Sequence, residues 1–169
     1  MSALADVNRP TKAVPYGRGS EAGEAIWFLG QLFVIKAAGE DTGGAFALME
    51  GSAPRGPAAP LHVQPNEDET FYVLEGDLTV HIDGEEITAS VGSTVFIPRG
   101  TPHAFRVDSE TARLLVLNTP AGHERFFRAV GEPAAARTLP PPPEGPPDMD
   151  AMARAAEDAG FRILGPPPF

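Results

Sequence analysis

The strongest constraint on this chain is a rhythm of short apolar runs separated by turn residues. From residue 24 to residue 118, segments that alternate apolar and polar side chains are broken by Gly, Pro or Asp, and 18 glycines and 19 prolines in 169 residues supply most of the breaks. Alternation with period two belongs to strands with one buried face, and many short strands at regular spacing predict a β-sandwich or barrel. No segment of this stretch carries the 3.6-residue period of an amphipathic helix. A chain of this length can bury roughly 70% of the surface its unfolded form exposes, so one domain with a real core is expected.

The breaks place the elements. Residues 24–37 (EAIWFLGQLFVIKA) read as one or two strands around Gly30, residues 41–44 (DTGG) as a turn, and residues 45–50 as a strand with Phe46 and Leu48 on one face. Residues 51–60, rich in Gly and Pro, read as a loop. Strands follow at 61–64 and 69–74. Residues 77–82 alternate with Leu78, Val80 and Ile82 inward and His81 outward, and Asp83-Gly84 is a strong two-residue hairpin signal. Further strands fall at 85–90, 93–97, 102–107 and 112–118, with a turn at 98–101 (PRGT).

After residue 118 the character changes. Residues 119–131 (TPAGHERFFRAVG) read as a short helix, and the run PPPPEGPP at 140–147 as an extended spacer. Asp148 or Asp150 can cap a second short helix that Gly160 ends, with Met149, Met152, Ala156 and Ala159 as its apolar stripe. The final ILGPPPF is expected to tuck against the barrel. The domain layout is thus an N-terminal arm (1–23), a barrel (24–131), and a segment of Pro-rich linker, short helix and tail (132–169).

Charge and composition exclude some functions. A net charge of −10 with no Lys/Arg patch disfavours nucleic acid. The longest apolar run, residues 25–35, is interrupted by Gly30 and Gln31 and is too short for a membrane span, which needs about 20 residues. Cysteine is absent, so no disulfide framework or thiolate metal site is available. With no apolar leader segment at the N-terminus, the expected location is cytoplasmic.

Two motifs carry chemistry. The stretch GPAAPLHVQPNEDETFYVLEG provides Gly56, His62, Gln64, Glu69 and Gly76, and GSTVFIPRGTPHAF provides Gly92, Pro98, Gly100 and His103. At these spacings they resemble the two motifs of the cupin superfamily. Gln64 stands where the second His of the first motif is usual, and Val107 where an Asn is usual in the second. The phrases EDETFYVLEG, PRGTPHAF and ARLLVLNTPAGHERFF make the chain most similar to bacterial single-domain quercetinase-like cupins. The resemblance implies an all-β jelly-roll barrel with a short C-terminal helical extension, holding one divalent transition metal ion (Fe, Ni, Mn, Co, Cu or Zn). It also implies a small-molecule substrate and a homodimer. Such cupins include dioxygenases, isomerases, cyclases, decarboxylases and binding proteins.

Strand parity agrees with the motif residues. His62 and Gln64 share one face, Glu69, Phe71 and Val73 share another, and closure of a barrel would bring His103 opposite. Two imidazoles and a carboxylate then meet as a 2-His-1-carboxylate donor set, which leaves positions open for substrate. Gln64 either ligates weakly through its oxygen or leaves a position open and hydrogen-bonds substrate or water; a site that has lost its metal is the remaining option. Glu69 is the candidate catalytic residue, as a ligand or as a ligand that also serves as general base.

Among Trp27, Phe33, Phe46, Phe71, Phe96 and Phe105, most should fill core, and Phe71 and Phe105 are the expected substrate-pocket residues because each lies two positions from a proposed ligand. Glu67 has inward parity but sits in a loop. His123 could line the pocket mouth but is expected to be an exposed helical residue, and Arg99 could meet an anionic substrate at the rim but is expected to pair with a neighbouring carboxylate. The leading functional expectation is a metal-dependent dioxygenase for a small aromatic or enolic, flavonol-like molecule. The alternatives are a non-oxidative isomerase or cyclase, and a non-catalytic binding cupin.

Overall fold

The computed structural model describes residues 13–142 and 145–169. Residues 1–12 of the expected arm and residues 143–144 of the spacer lie outside it.

Strands β1 (Glu24–Phe28) and β2 (Gln31–Ala37) form a hairpin whose two turn residues, Leu29 and Gly30, are both left-handed at φ 48° and 78°. That is the turn geometry matched to strand twist, and Gly30 is its easy half. A single helical turn, α1 (Gly39–Thr42), follows where a plain turn was expected. Strand β3 (Ala47–Pro57) runs on through most of the Gly/Pro-rich segment read as a loop, because a register shift between Pro54 and Gly56 lets it stay paired.

Next come β4 (Leu61–Val63), β5 (Asp68–Glu75), β6 (Leu78–Ile82), β7 (Glu85–Ala89) and β8 (Thr94–Ile97). Asp83 and Gly84, at φ 49° and 90°, make the β6–β7 hairpin as the sequence predicts. Strand β9 (His103–Thr119) unites the two strands expected at 102–107 and 112–118. The polar residues 108–111 between them read as a break, but the pairs Pro54–Thr111 and Gly56–Val107 with β3 carry the ladder across. The C-terminal part contains α2 (Glu124–Val130), β10 (Glu132–Pro133), α3 (Met149–Ala159) and β11 (Arg162–Gly165).

β9 ties the jelly roll together. It pairs with β3 along its length, with β6 through 103–107, with β5 through 113–119 and with β4 at His103. Straight, the 15 steps from His103 to Asn118 would span roughly 50 Å, yet both residues reach the same carboxylate, so β9 curls around the barrel. Gly76 permits the turn between β5 and β6: its φ is 77°, and a Cβ there would collide with the Thr111 carbonyl of β9.

The inward faces of these strands make one core that includes Met49, Phe71, Val73, Leu78, Val80, Val107, Leu114 and Val116. Of the six aromatics considered for core or pocket, Trp27 lies outside the core, its Nε1 donating to the Thr138 carbonyl, and Phe46 at 36% exposure and Phe96 at 58% point outward. The same register that buries Ala47 and Ile97 turns Phe46 and Phe96 out, since neighbours alternate faces. Helix α3 is capped by Asp148, whose side chain accepts from Ala151 N, and closed by left-handed Gly160. Met152, Ala156 and Ala159 are buried, whereas Met149, assigned to the same stripe, is exposed. The tail tucks down as expected: β11 pairs with β4, opposite His62. No helix among the described residues is long and apolar enough to cross a membrane.

Candidate metal centre

β4 and β9 pair so that His62 and His103 lie directly opposite each other, with ring centroids 4.2 Å apart. Glu69 enters from β5, and its Oε2 lies 2.9 Å from His103 Nε2. One nitrogen or oxygen from each of His62, Glu69 and His103 falls within 4.8 Å of the others, and all three residues are buried. Each imidazole is fixed by its far nitrogen: His62 Nδ1 donates to the Pro60 carbonyl and His103 Nδ1 to that of Thr101, both at 2.9 Å. Pinning Nδ1–H in this way turns Nε2 toward the shared point as a lone-pair donor, the arrangement common to metal-ligating histidines. The donor set and its anchoring fit a divalent transition metal.

The charges at this point are linked. Burial pushes His62 down to about 3, helped by the His103 charge and opposed by Glu69. Burial also works against a charged His103, but the hydrogen bond to Glu69 and its negative charge outweigh that and raise His103. For Glu69 burial favours the neutral acid, yet the His103 hydrogen bond and charge hold the carboxyl below the usual carboxylate range. A proton therefore lies in the hydrogen bond between His103 Nε2 and Glu69 Oε2.

Gln64 is buried too, but its amide is committed. Its Nε2 donates to Glu69 Oε1, and its Oε1 accepts from Asn118 Nδ2, both at 3.1 Å. Asn118 Nδ2 also reaches Glu69 Oε1 at 3.1 Å. Both oxygens of Glu69 are thus held. Asn118 escaped the sequence reading, although alternation along Ala112, Leu114, Val116 and Asn118 puts it inward and an inward Asn is a polar signal.

The carboxylate and His62 open on an apolar cavity of about 70 Å³. Phe71 and Phe105 line it, edge to face at 5.4 Å, together with Phe33. Phe28, Phe126, Phe127, Met152 and Phe161 complete much of the wall. The last two come from the C-terminal extension, which sequence periodicity alone could not dock. His123 also lines the cavity at 6% exposure, which corrects the expectation of an exposed helical residue. The helix after Gly122 packs its Phe126 and Phe127 inward, and His123 lies on the same side. Glu67 is buried as well, with Oε2 unpartnered, and burial pushes it up to about 7. Arg99 pairs with Asp68 at 2.8 Å, as expected, and His81 is turned away from the centre toward Phe169.

Residues 49–118 match the model of the cupin domain family. Over 157 residues, 93% of its length, the chain is 34% identical to the quercetin 2,3-dioxygenase of Bacillus subtilis strain 168. The chain carries a cupin domain and is similar to the quercetinase-like cupins. This cupin spans 46% of that relative's own length. Solved structures similar in fold include Streptomyces Pac13 with uridine, at TM-score 0.56 and 16% identity over 66% of this chain and 86% of that one. KdgF from Halomonas sp. aligns at TM-score 0.50 and 22% identity over 56% of this chain and 83% of that one. At such identities the likeness establishes the cupin barrel alone.

Proposed function

We propose that this cupin is a metal-dependent dioxygenase acting on a small aromatic or enolic molecule. The observation that carries the reading is the convergence of His62, Glu69 and His103 on the wall of a phenylalanine-lined cavity. His62, Glu69 and His103 would hold the ion; Gln64 and Asn118 would hold Glu69. A divalent transition metal in this set would supply Lewis acidity and a place for substrate oxygen. The protein's own part is to keep water away with the phenylalanine wall, to place a flat ring against Phe71 and Phe105, and to hold Glu69 Oε2 where it can take a substrate proton once His103 no longer donates to it. Support for oxygenase chemistry comes from the similarity to the quercetin dioxygenase.

The cavity volume bears on substrate size. About 70 Å³ is small beside the roughly 300–1,000 Å³ of pockets for drug-sized ligands. A single-ring or short enolic substrate suits it better than a three-ring flavonol, which would require the α3–β11 segment to move. A second reading rests on Gln64: with its amide oxygen on Asn118 the centre has three protein donors, and a Lewis-acid isomerase or cyclase needs no more. The test is metal analysis of the purified chain, followed by oxygen uptake with a panel of enols and phenols. Bound metal with oxygen uptake supports the dioxygenase. Turnover that persists under strict anaerobiosis replaces it with the isomerase or cyclase.

We further propose a homodimer through the outer face of β5, β8 and β9. There Tyr72 and Phe96 are 44% and 58% exposed beside Leu115 and Leu117, a larger apolar area than an isolated surface residue presents.

A further inference from the structure

We propose that His123 is a ligand-orienting residue. Its imidazole would hydrogen-bond a second polar atom of an aromatic or enolic ligand whose first oxygen lies at His62, Glu69 and His103. The assignment rests on the proposed reading of the cavity as an aromatic or enolic binding site, and it adds a selection rule: ligands bearing a second hydrogen-bonding group are preferred.

Three observations carry it. First, His123 has no structural employment for its polarity. It occupies the N-cap position of α2 but makes no side-chain cap hydrogen bond, and Nδ1 is buried without a partner. Second, its surroundings are aromatic. The ring centroids of Phe161, Phe127 and Phe126 lie 4.9, 5.2 and 6.3 Å away. A phenylalanine would fill such a cage without burying an unpaired nitrogen, so packing alone does not call for histidine.

Third, each of the other polar side chains of the cavity wall already has a hydrogen-bond partner. Gln31 Nε2 donates to the Ala58 carbonyl, His62 Nδ1 is held by Pro60, and Glu69 is held by His103, Gln64 and Asn118. His123 faces the same cavity, with its ring centroid 6.4 Å from that of His62. It is outside the trio whose ligand atoms converge within 4.8 Å. A neutral imidazole offers one donor and one acceptor, and a rotation about χ2 presents either to the cavity.

The test is anaerobic titration calorimetry of phenol and hydroquinone into the full chain, with and without Zn²⁺, for the wild type, His123→Phe and His123→Gln. The wild type is expected to bind hydroquinone roughly tenfold more tightly than phenol. His123→Phe should abolish that preference while leaving phenol and Zn²⁺ affinities unchanged, and His123→Gln should restore part of it. Equal losses for both ligands in His123→Phe, or a loss of Zn²⁺ affinity, would overturn the assignment in favour of a packing residue or a metal ligand. Unfolding of both variants would overturn it likewise. Discrimination retained in a wild type that binds no Zn²⁺ supports His123 while defeating the metal reading. A wild type that binds neither compound defeats the aromatic-site reading and this assignment together.

Discussion

His103 Nε2 and Glu69 Oε2 stand 2.9 Å apart, each side chain almost wholly buried, with a proton between them. The same two atoms are the ones a metal would need. Metal loading therefore has to displace a proton from a site in which burial disfavours any isolated charge. The expected result is release of about one proton per ion bound near neutral pH. Calorimetry in buffers of different ionisation enthalpy reads this directly, and buffer-independent heats would show that no proton is exchanged.

Asn118 touches no candidate substrate atom, yet it hydrogen-bonds both Gln64 and Glu69. Asn118→Ala should lower metal affinity by roughly 10- to 100-fold, since partners that orient a ligating carboxylate carry effects of that size. Competition with a chromophoric chelator measures it. An unchanged affinity would show that Glu69 is held well enough by Gln64 and its own strand.

Glu67 supplies a pH dependence of definite sign. Burial raises its pKa from 4.5 to about 7, so between these values the folded chain holds a proton that the unfolded chain has lost. Its contribution to stability is present at low pH and is lost as the pH rises through about 7. Glu67→Gln should raise the Tm at pH 8 by roughly 3–6 °C and leave it nearly unchanged at pH 4.5. The same shift at both pH values would trace the effect to packing.

Phe161 joins the C-terminal extension to the cavity, 4.9 Å from His123 and 5.8 Å from His62 between ring centroids. Phe161→Ala should cost about 3–5 kcal/mol, and lower the Tm by about 10 °C or more. It should also admit bulkier aromatic ligands than the wild type does. Thermal unfolding and a ligand size series check the two effects separately, and a variant with the wild-type size limit would locate the limit elsewhere in the wall.

Phe96 and Tyr72 lie on the outer face of paired strands, far from any catalytic role. Phe96→Glu should convert a dimer to a monomer in light scattering while leaving metal affinity intact. A wild type that is already monomeric removes this face as an interface.

Much of the architecture is legible from local chemistry. Asp83-Gly84 specifies its hairpin because two successive left-handed residues are needed and these two tolerate it. The inward positions Leu78 and Val80 follow from a period of two. The same logic fails where a strand continues through unpromising residues, as in β3 beyond Gly51 and β9 across 108–111. There the ladder to a neighbouring strand, not the segment's own composition, keeps the backbone extended. Phe46 and Phe96 show a second limit: alternation says which residues share a face, and only the neighbouring sheet says which face is buried.

His62, Glu69 and His103 were recognisable in the chain itself, because motif spacing and strand parity both single them out. What surrounds them was decided by the tertiary structure. Asn118 reaches Glu69 because β5 and β9 pair with these two residues directly opposite, and His103 joins them because β9 curls roughly 50 Å of strand around the barrel. Phe161 and Met152 wall the cavity only because β11 pairs with β4, and His123 is buried only because α2 lies against that same extension. Such contacts depend on strand curvature and on docking between distant segments, neither of which is written in the period of a strand or the spacing of a motif.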